Sequence, residues 1–176
     1  GHTVAIIRED GSVCDADELG QIAVKRPDPV MFLEYWNRPE ATAEKFVQAP
    51  SGDWMVTGDQ GAMDAQGYVR FVGRDDDVIT SSGYRIGPGE IEDCLLRHPA
   101  VANAAVVGKK DSLRTEIVKA FVVLRAGFAP SDMLVADLQA FVRARLAAYE
   151  YPREIAFVDS LPLTTSGKVI RRLLRQ

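Results

Sequence analysis

The stretch EIVKAFVVL, residues 116–124, constrains the fold most. A nearly unbroken apolar run of that length fits a strand covered on both faces, so it predicts the centre of a sheet. VANAAVVG (101–108) and EIAFVD (154–159) predict two flanking strands. PGEIEDCLLR (88–97) predicts a helix with acidic residues in its first turns and Ile91, Leu95 and Leu96 on one side. SDMLVADLQAFVRARLA (131–147) predicts a second helix, capped by Ser131 and apolar at Leu134, Val135, Leu138, Phe141, Val142 and Leu146. VIRRLLR (169–175) predicts a terminal helix. This order gives an α+β domain with a three-stranded sheet and flanking helices.

The first part of the chain reads differently. TVAII (3–7), QIAVKR (21–26) and WMVTGD (54–59) predict strands, and GAMDAQGYVRFVGR (61–74) predicts a hairpin around Ala65-Gln66-Gly67. A short helix is expected over PEATAEKF (39–46), with Pro39 in its first turn. The result is a small β-rich, barrel-like segment. Its strands run out near Gly73–Asp77, so the expected division is 1–74 and 75–176.

Charge follows the same division. Residues 1–100 hold 18 acidic and 9 basic residues, a net of −9; residues 101–176 hold 7 and 12, a net of +5. A positive second module suits an anionic ligand. Nucleic acid is disfavoured, because the basic residues are dispersed and the chain's net charge is −4. No apolar run reaches the roughly 20 residues of a membrane span. Cys14 and Cys94 lack metal-type spacing and are expected as free thiols, and the chain reads as cytoplasmic. His98, after a helix and before Pro99, is expected to cap that helix.

Two Gly/Ser-rich turns bearing cations carry the chemistry: GRDDDVITSSGYRIGPGEIE (73–92) and LPLTTSGKVIRR (161–172). Such turns bring backbone N–H groups close to an anion. Lys168, behind Ser166-Gly167, can reach a phosphate, although the P-loop pattern is absent because Val169 follows. Asp59, in Thr57-Gly58-Asp59, either satisfies its own turn or accepts from a ribose diol. Arg74 and Arg85 offer planar forks to phosphate or ribose, or pair with Asp75, Asp76 and Asp77. Three adjacent aspartates repel one another, and one of them suits a hinge. Ser81, Ser82, Gly83 and Tyr84 suit the wall of a narrow channel or an ordinary turn. Arg114, Arg143, Arg145 and Arg153 either form a positive rim or stay solvated.

TGD (57–59), GRDDDVITSSGYRIGPGEIE (73–92) and PLTTSGK (162–168), in this order, resemble the C-terminal part of acyl-CoA synthetases. These belong to the adenylate-forming superfamily, with luciferases and nonribosomal peptide adenylation domains. SSGYRIGP is most similar to the acetyl-, medium-chain acyl- and benzoate-type CoA ligases. The resemblance implies that Asp59 and Arg74 bind the ribose of ATP or AMP, and that Arg85 contacts phosphate. It implies that Asp76 is the hinge of a mobile C-terminal lid. Ser82, Gly83 and Tyr84 would line the pantetheine path of coenzyme A, and Arg114, Arg145 and Arg153 would meet its phosphates. Lys168 would stabilise charge developing during adenylation.

The resemblance further implies a carboxylic acid, ATP and CoA as substrates. It implies Mg2+ in the complete enzyme, with no metal ligands in this chain, and a large N-terminal domain upstream. Leu163 and Thr80 depart from the family, which often has a basic residue and a lysine there. Opening at Gly1-His2 in mid-pattern, the chain reads as a fragment lacking full activity by itself. The alternatives are an adenylation domain loading a carrier-protein thiol and a non-catalytic nucleotide-binding module.

Overall fold

The computed structural model describes residues 1–175, and the chain divides into two compact units, the second beginning at Asp77. The architecture is α+β and dominated by sheet, with five strands in each unit among the described residues.

The first unit hangs on one long strand. β1 (Val4–Ile7) pairs with β2 (Gly20–Lys25), and β2 lies antiparallel to β4 (Gly52–Met63). The other side of β4 is shared. β3 (Phe46–Ala49) takes its first residues and β5 (Val69–Arg74) its last. Ile7, Ala23, Trp54 and Val56 form a small apolar cluster on which Val47 packs. Trp54 donates its indole N–H to Ser51 at 3.0 Å, so the buried ring leaves no orphan donor.

Two expectations fail here. Thr57-Gly58-Asp59 is not a strand end but the middle of a twelve-residue strand. The register shift between Gln60 and Gly61 bends β4 and lets it continue, as a glycine inside a strand often signals. The helix expected over 39–46 stops early: α1 is Pro39–Ala43, and Phe46 instead opens β3 opposite Met55. Ladder bonds to β4 outweigh helix propensity there.

In the second unit β9 (Thr115–Leu124) is central. It pairs antiparallel with β8 (Val101–Asp111) and parallel with β10 (Glu154–Phe157). These are the three expected strands. Two more come from the segment read as a Gly/Ser turn: β6 (Ile79–Ser81) and β7 (Tyr84–Ile86), with β6 touching β9 at Ser81 and Thr115. Ser82 and Gly83 join them at φ 51° and 84°. A two-residue hairpin loop with positive φ at both positions matches strand twist, and Gly83 adopts it without a Cβ penalty. Ser-Gly between Ile79-Thr80-Ser81 and Tyr84-Arg85-Ile86 was the overlooked signal.

α2 (Pro88–Leu96) buries Ile91 and Leu95 against the sheet, while Leu96 is 39% exposed and lies off that face. α3 (Asp132–Arg143) starts as expected, with the Ser131 hydroxyl accepting the Leu134 N–H at 3.2 Å. It ends four residues early, where the Glu150 carboxylate takes the Ala147 N–H and turns the chain. Ile79, Val106, Val122, Leu138 and Val142 are at most 1% exposed in one continuous core.

His98 does more than cap α2. Its N–H donates to the Leu95 carbonyl, while its ring accepts from the Ala100 N–H and meets Asp137 of α3 at 3.1 Å. It is 6% exposed, a tertiary tie between helices. The terminal helix expected over 169–175 is one 3-10 turn, Arg171–Leu173. Val169 is held in a bridge with Leu163, and Arg171 turns toward carboxylates, so the chain abandons α periodicity. Cys14 and Cys94 are both free.

Candidate functional site

The residues singled out from the sequence form separate groups within the two units. In the first unit Asp59 and Arg74 are direct partners across the β4–β5 ladder. Their side chains meet at 3.2 Å, and Arg74 also approaches Asp76 at 3.5 Å. Gly58 makes room for this. It sits at φ 83°, and a Cβ there would lie 3.2 Å from the Arg74 guanidinium and 3.4 Å from Lys45 Nζ. The Arg74 and Asp59 side chains are 51% and 31% exposed. A pair that open is worth about 1 kcal/mol or less, so ligand oxygens can replace either partner at small cost.

The three aspartates find separate partners, which removes the repulsion expected between them. Asp75 accepts from the buried Gln60 amide, whose Oε1 has no hydrogen-bond partner among the described residues. Asp76 faces Arg74, with its side chain 75% exposed. Asp77, where the second unit begins, binds Arg171 at 3.0 Å and Arg175 at 2.8 Å.

In the second unit the hairpin turn and Arg114 come together. The Ser82 N–H donates to the Arg114 carbonyl at 3.0 Å, and the Thr80 N–H donates to Glu116 at 2.8 Å. Tyr84 is half exposed and stacks on Tyr149, ring centroids 4.0 Å apart and planes within 9°. Such a stack is worth about 1 kcal/mol beyond area burial. Tyr149 belongs to the segment that carries the remaining predicted arginines. Arg145 lies 3.5 Å over the Phe141 ring and donates to the Phe141 carbonyl. Arg143 and Arg153 approach the Tyr151 ring at 4.0 and 5.2 Å. These aromatic contacts hold guanidinium planes at the surface without neutralising them. Tyr149 and Tyr151 were missed as site candidates; each is set in a short connector between α3 and β10. Arg85 stands opposite Thr80 in the β6–β7 ladder, exposed.

Lys168 occupies a tight, closed hairpin. Thr164 donates its N–H to the Lys168 carbonyl at 2.8 Å, and the Lys168 N–H returns to the Thr164 hydroxyl at 3.0 Å. The Ile170 N–H donates to the Pro162 carbonyl, and Leu163 bridges Val169. The Lys168 side chain is exposed, with no ion pair or side-chain hydrogen bond among the described residues.

A further cluster was not anticipated. Arg171 donates to both oxygens of Glu92 at 2.9 and 2.8 Å and to Asp77, all at 20% side-chain exposure or less. Glu92 also accepts the Val106 N–H. Burial raises the Glu92 pKa, only partly countered by the Val106 N–H and Arg171. Burial alone would lower that of Arg171, but the bond to Glu92 and the nearby carboxylates raise it. Among the described residues no three His, Cys, Asp or Glu side chains gather to hold a metal ion, and no helix is long and apolar enough to cross a membrane.

Comparison with known proteins identifies the second half of the chain. Residues 90–168 match the AMP-binding enzyme C-terminal domain. The chain is 46% identical, over 99% of its length, to acetyl-coenzyme A synthetase of Bacillus subtilis. It is 44% identical, again over 99%, to the human mitochondrial acyl-coenzyme A synthetase ACSM1. It spans 30% of the length of each of these relatives. Among solved structures, o-succinylbenzoate CoA synthetase of Bacillus subtilis, in complex with its acyl-adenylate intermediate, matches 99% of the chain over 34% of its own, with a TM-score of 0.85 and 34% identity. Residues 90–168 are therefore an AMP-binding enzyme C-terminal domain, and the chain is similar to acyl-CoA synthetases along about a third of their length.

Proposed function

We propose that this chain works as the C-terminal part of an ATP-dependent, AMP-forming acyl-CoA synthetase of the cytoplasm, with residues 1–74 as the tail of the large domain and 75–176 as the mobile lid. The observation that carries the reading is Lys168: an exposed ammonium with no side-chain partner among the described residues, on a hairpin closed by its own backbone bonds. A cation held in place by its backbone, with its charge left free, suits the stabilisation of a charge that develops only in a transition state.

In the first step the carboxylate oxygen of the acid attacks the α-phosphorus of ATP. The bond to pyrophosphate breaks, giving acyl-adenylate, and Lys168 offsets the added negative charge on the phosphoryl oxygens. Asp59 accepts from the ribose hydroxyls and Arg74 contacts the same sugar; their weak mutual pair makes both available. Arg85 contacts phosphate. In the second step the CoA sulfur, its proton lost, attacks the acyl carbon and AMP leaves. Ser82, Gly83 and Tyr84 flank the pantetheine arm, and Arg114, Arg145 and Arg153 attract the CoA phosphates. Asp76, exposed beside Arg74, is the hinge between the two steps. Magnesium would neutralise the ATP phosphates; among the described residues no three His, Cys, Asp or Glu side chains gather to hold it.

The test separates the half-reactions in the complete ligase polypeptide. Lys168→Ala is expected to lower acid-dependent adenylation about 100-fold or more, while thioester formation from preformed acyl-adenylate stays near wild type. Equal loss in both steps would sink the assignment of Lys168. Triple substitution of Arg114, Arg145 and Arg153 to Ala should raise the KM for CoA. An unchanged KM would favour a carrier-protein thiol as acceptor.

A further inference from the structure

We propose that Arg171 is a positioning residue for Lys168, acting through a buried clamp on Asp77 and Glu92. The inference rests on Lys168 as the adenylation cation.

Three observations lead there. Lys168 stands on a hairpin whose stem runs through Ile170 directly into the 3-10 turn beginning at Arg171. The guanidinium of Arg171 is therefore the first side-chain anchor beyond the hairpin, three positions after Lys168. It spans two elements, donating to both Glu92 oxygens on α2 and to Asp77, where the second unit starts. Glu92 itself is fixed by the Val106 N–H of β8 at 2.8 Å. Helix, sheet, unit start and hairpin are thus registered to one planar group.

Fold stability alone is a weak reason for such a network. Buried ion pairs are often no more stabilising than apolar side chains of similar volume, because desolvation cancels the attraction. Among the described residues this cluster also leaves the Arg171 Nε–H buried without a partner, a further cost. What a bidentate fork does supply is geometry: it fixes both distance and angle. The residue that needs that precision is the neighbouring cation, whose effect on a developing charge falls away with small displacement. Arg175 reinforces Asp77 at 2.8 Å and shares its load.

The test uses Arg171→Lys, the neutralised variant Asp77→Asn/Glu92→Gln/Arg171→Met, and Lys168→Ala as reference. Two readouts are taken: amide hydrogen exchange at Thr164 and Ile170 in this 176-residue chain, and both half-reactions in the complete ligase. The neutralised variant is expected to unfold cooperatively, to exchange these two amides at least about tenfold faster, and to lose roughly 10- to 100-fold in adenylation kcat. The KM for ATP and thioester formation from preformed adenylate should stay within about twofold of wild type. Arg171→Lys keeps one ion pair but not the fork, and should fall between wild type and the neutralised variant in both readouts. Unchanged exchange and adenylation in the neutralised variant, while Lys168→Ala is crippled, overturn the clamp alone. Should the neutralised variant fail to fold, Arg171→Lys decides, and wild-type values for it in both readouts overturn the clamp. Should Lys168→Ala leave adenylation intact, the reading of Lys168 fails, and the exchange rates still decide whether Arg171 holds the hairpin.

Discussion

Two arginines invite comparison. Arg74 meets Asp59 and Asp76 with its side chain half exposed; Arg171 meets Asp77 and Glu92 with its side chain 20% exposed. The partners are chemically alike, but the contacts of Arg171 are shorter, 2.8 to 3.0 Å against 3.2 and 3.5 Å for Arg74. Arg74 loses little water in forming its contacts and gains little from them, so it remains available to an incoming ligand. Arg171 has given up most of its hydration, so its partners cannot be removed one at a time without leaving a buried charge. The first arrangement suits exchange and the second suits registration. The consecutive aspartates Asp76 and Asp77 fall on opposite sides of that contrast.

The contrast is broken most directly by removing each arginine. Arg171→Met should destabilise the second unit by roughly 3–5 kcal/mol, because Asp77 and Glu92 stay buried and lose their fork; urea unfolding of this chain measures it. Arg74→Ala should change stability by less than about 1 kcal/mol in the same experiment, yet, on the proposed function, weaken binding of AMP in the complete polypeptide. A loss for Arg74→Ala as large as that for Arg171→Met would erase the distinction.

A smaller effect sharpens it through pH. Burial raises the folded-state pKa of Glu92 above the ordinary carboxylate value. Between those two values the folded chain holds a proton that the unfolded chain has lost, so the contribution of Glu92 to stability falls as pH rises through that window. The difference in unfolding free energy between wild type and Glu92→Gln should therefore decline with rising pH there. A rising difference would mean that pairing with Arg171 outweighs burial. Glu154, bound by Lys109 at 2.6 Å and Lys119 at 2.9 Å, has its pKa lowered and sets the opposite sign: its contribution is lost as pH falls through the carboxylate range.

How much was legible in advance depended on the range of the interaction. Ser131 announced its helix because a cap is a bond to an N–H three residues on. The run 116–124 announced a central strand because covering both faces demands apolar residues throughout. The β6–β7 hairpin was legible and overlooked, since Ser82-Gly83 carries the positive φ values its turn needs. β3 was not legible, because Phe46 and its neighbours become a strand only when the β4 edge is beside them.

By itself, then, the sequence determined the α+β class, the central strand, the caps and the motifs that resemble acyl-CoA synthetases, all of which rest on neighbours a few residues apart. The tertiary structure alone decided that β4 runs through Gly58 without stopping, that Tyr84 stacks on Tyr149, and that Arg171 reaches Asp77 and Glu92 across 94 and 79 residues of chain. Contacts of that separation leave no periodic trace in the sequence. Their partners are chosen by which surfaces the folded sheets and helices bring together, and their strength by how much water is excluded there.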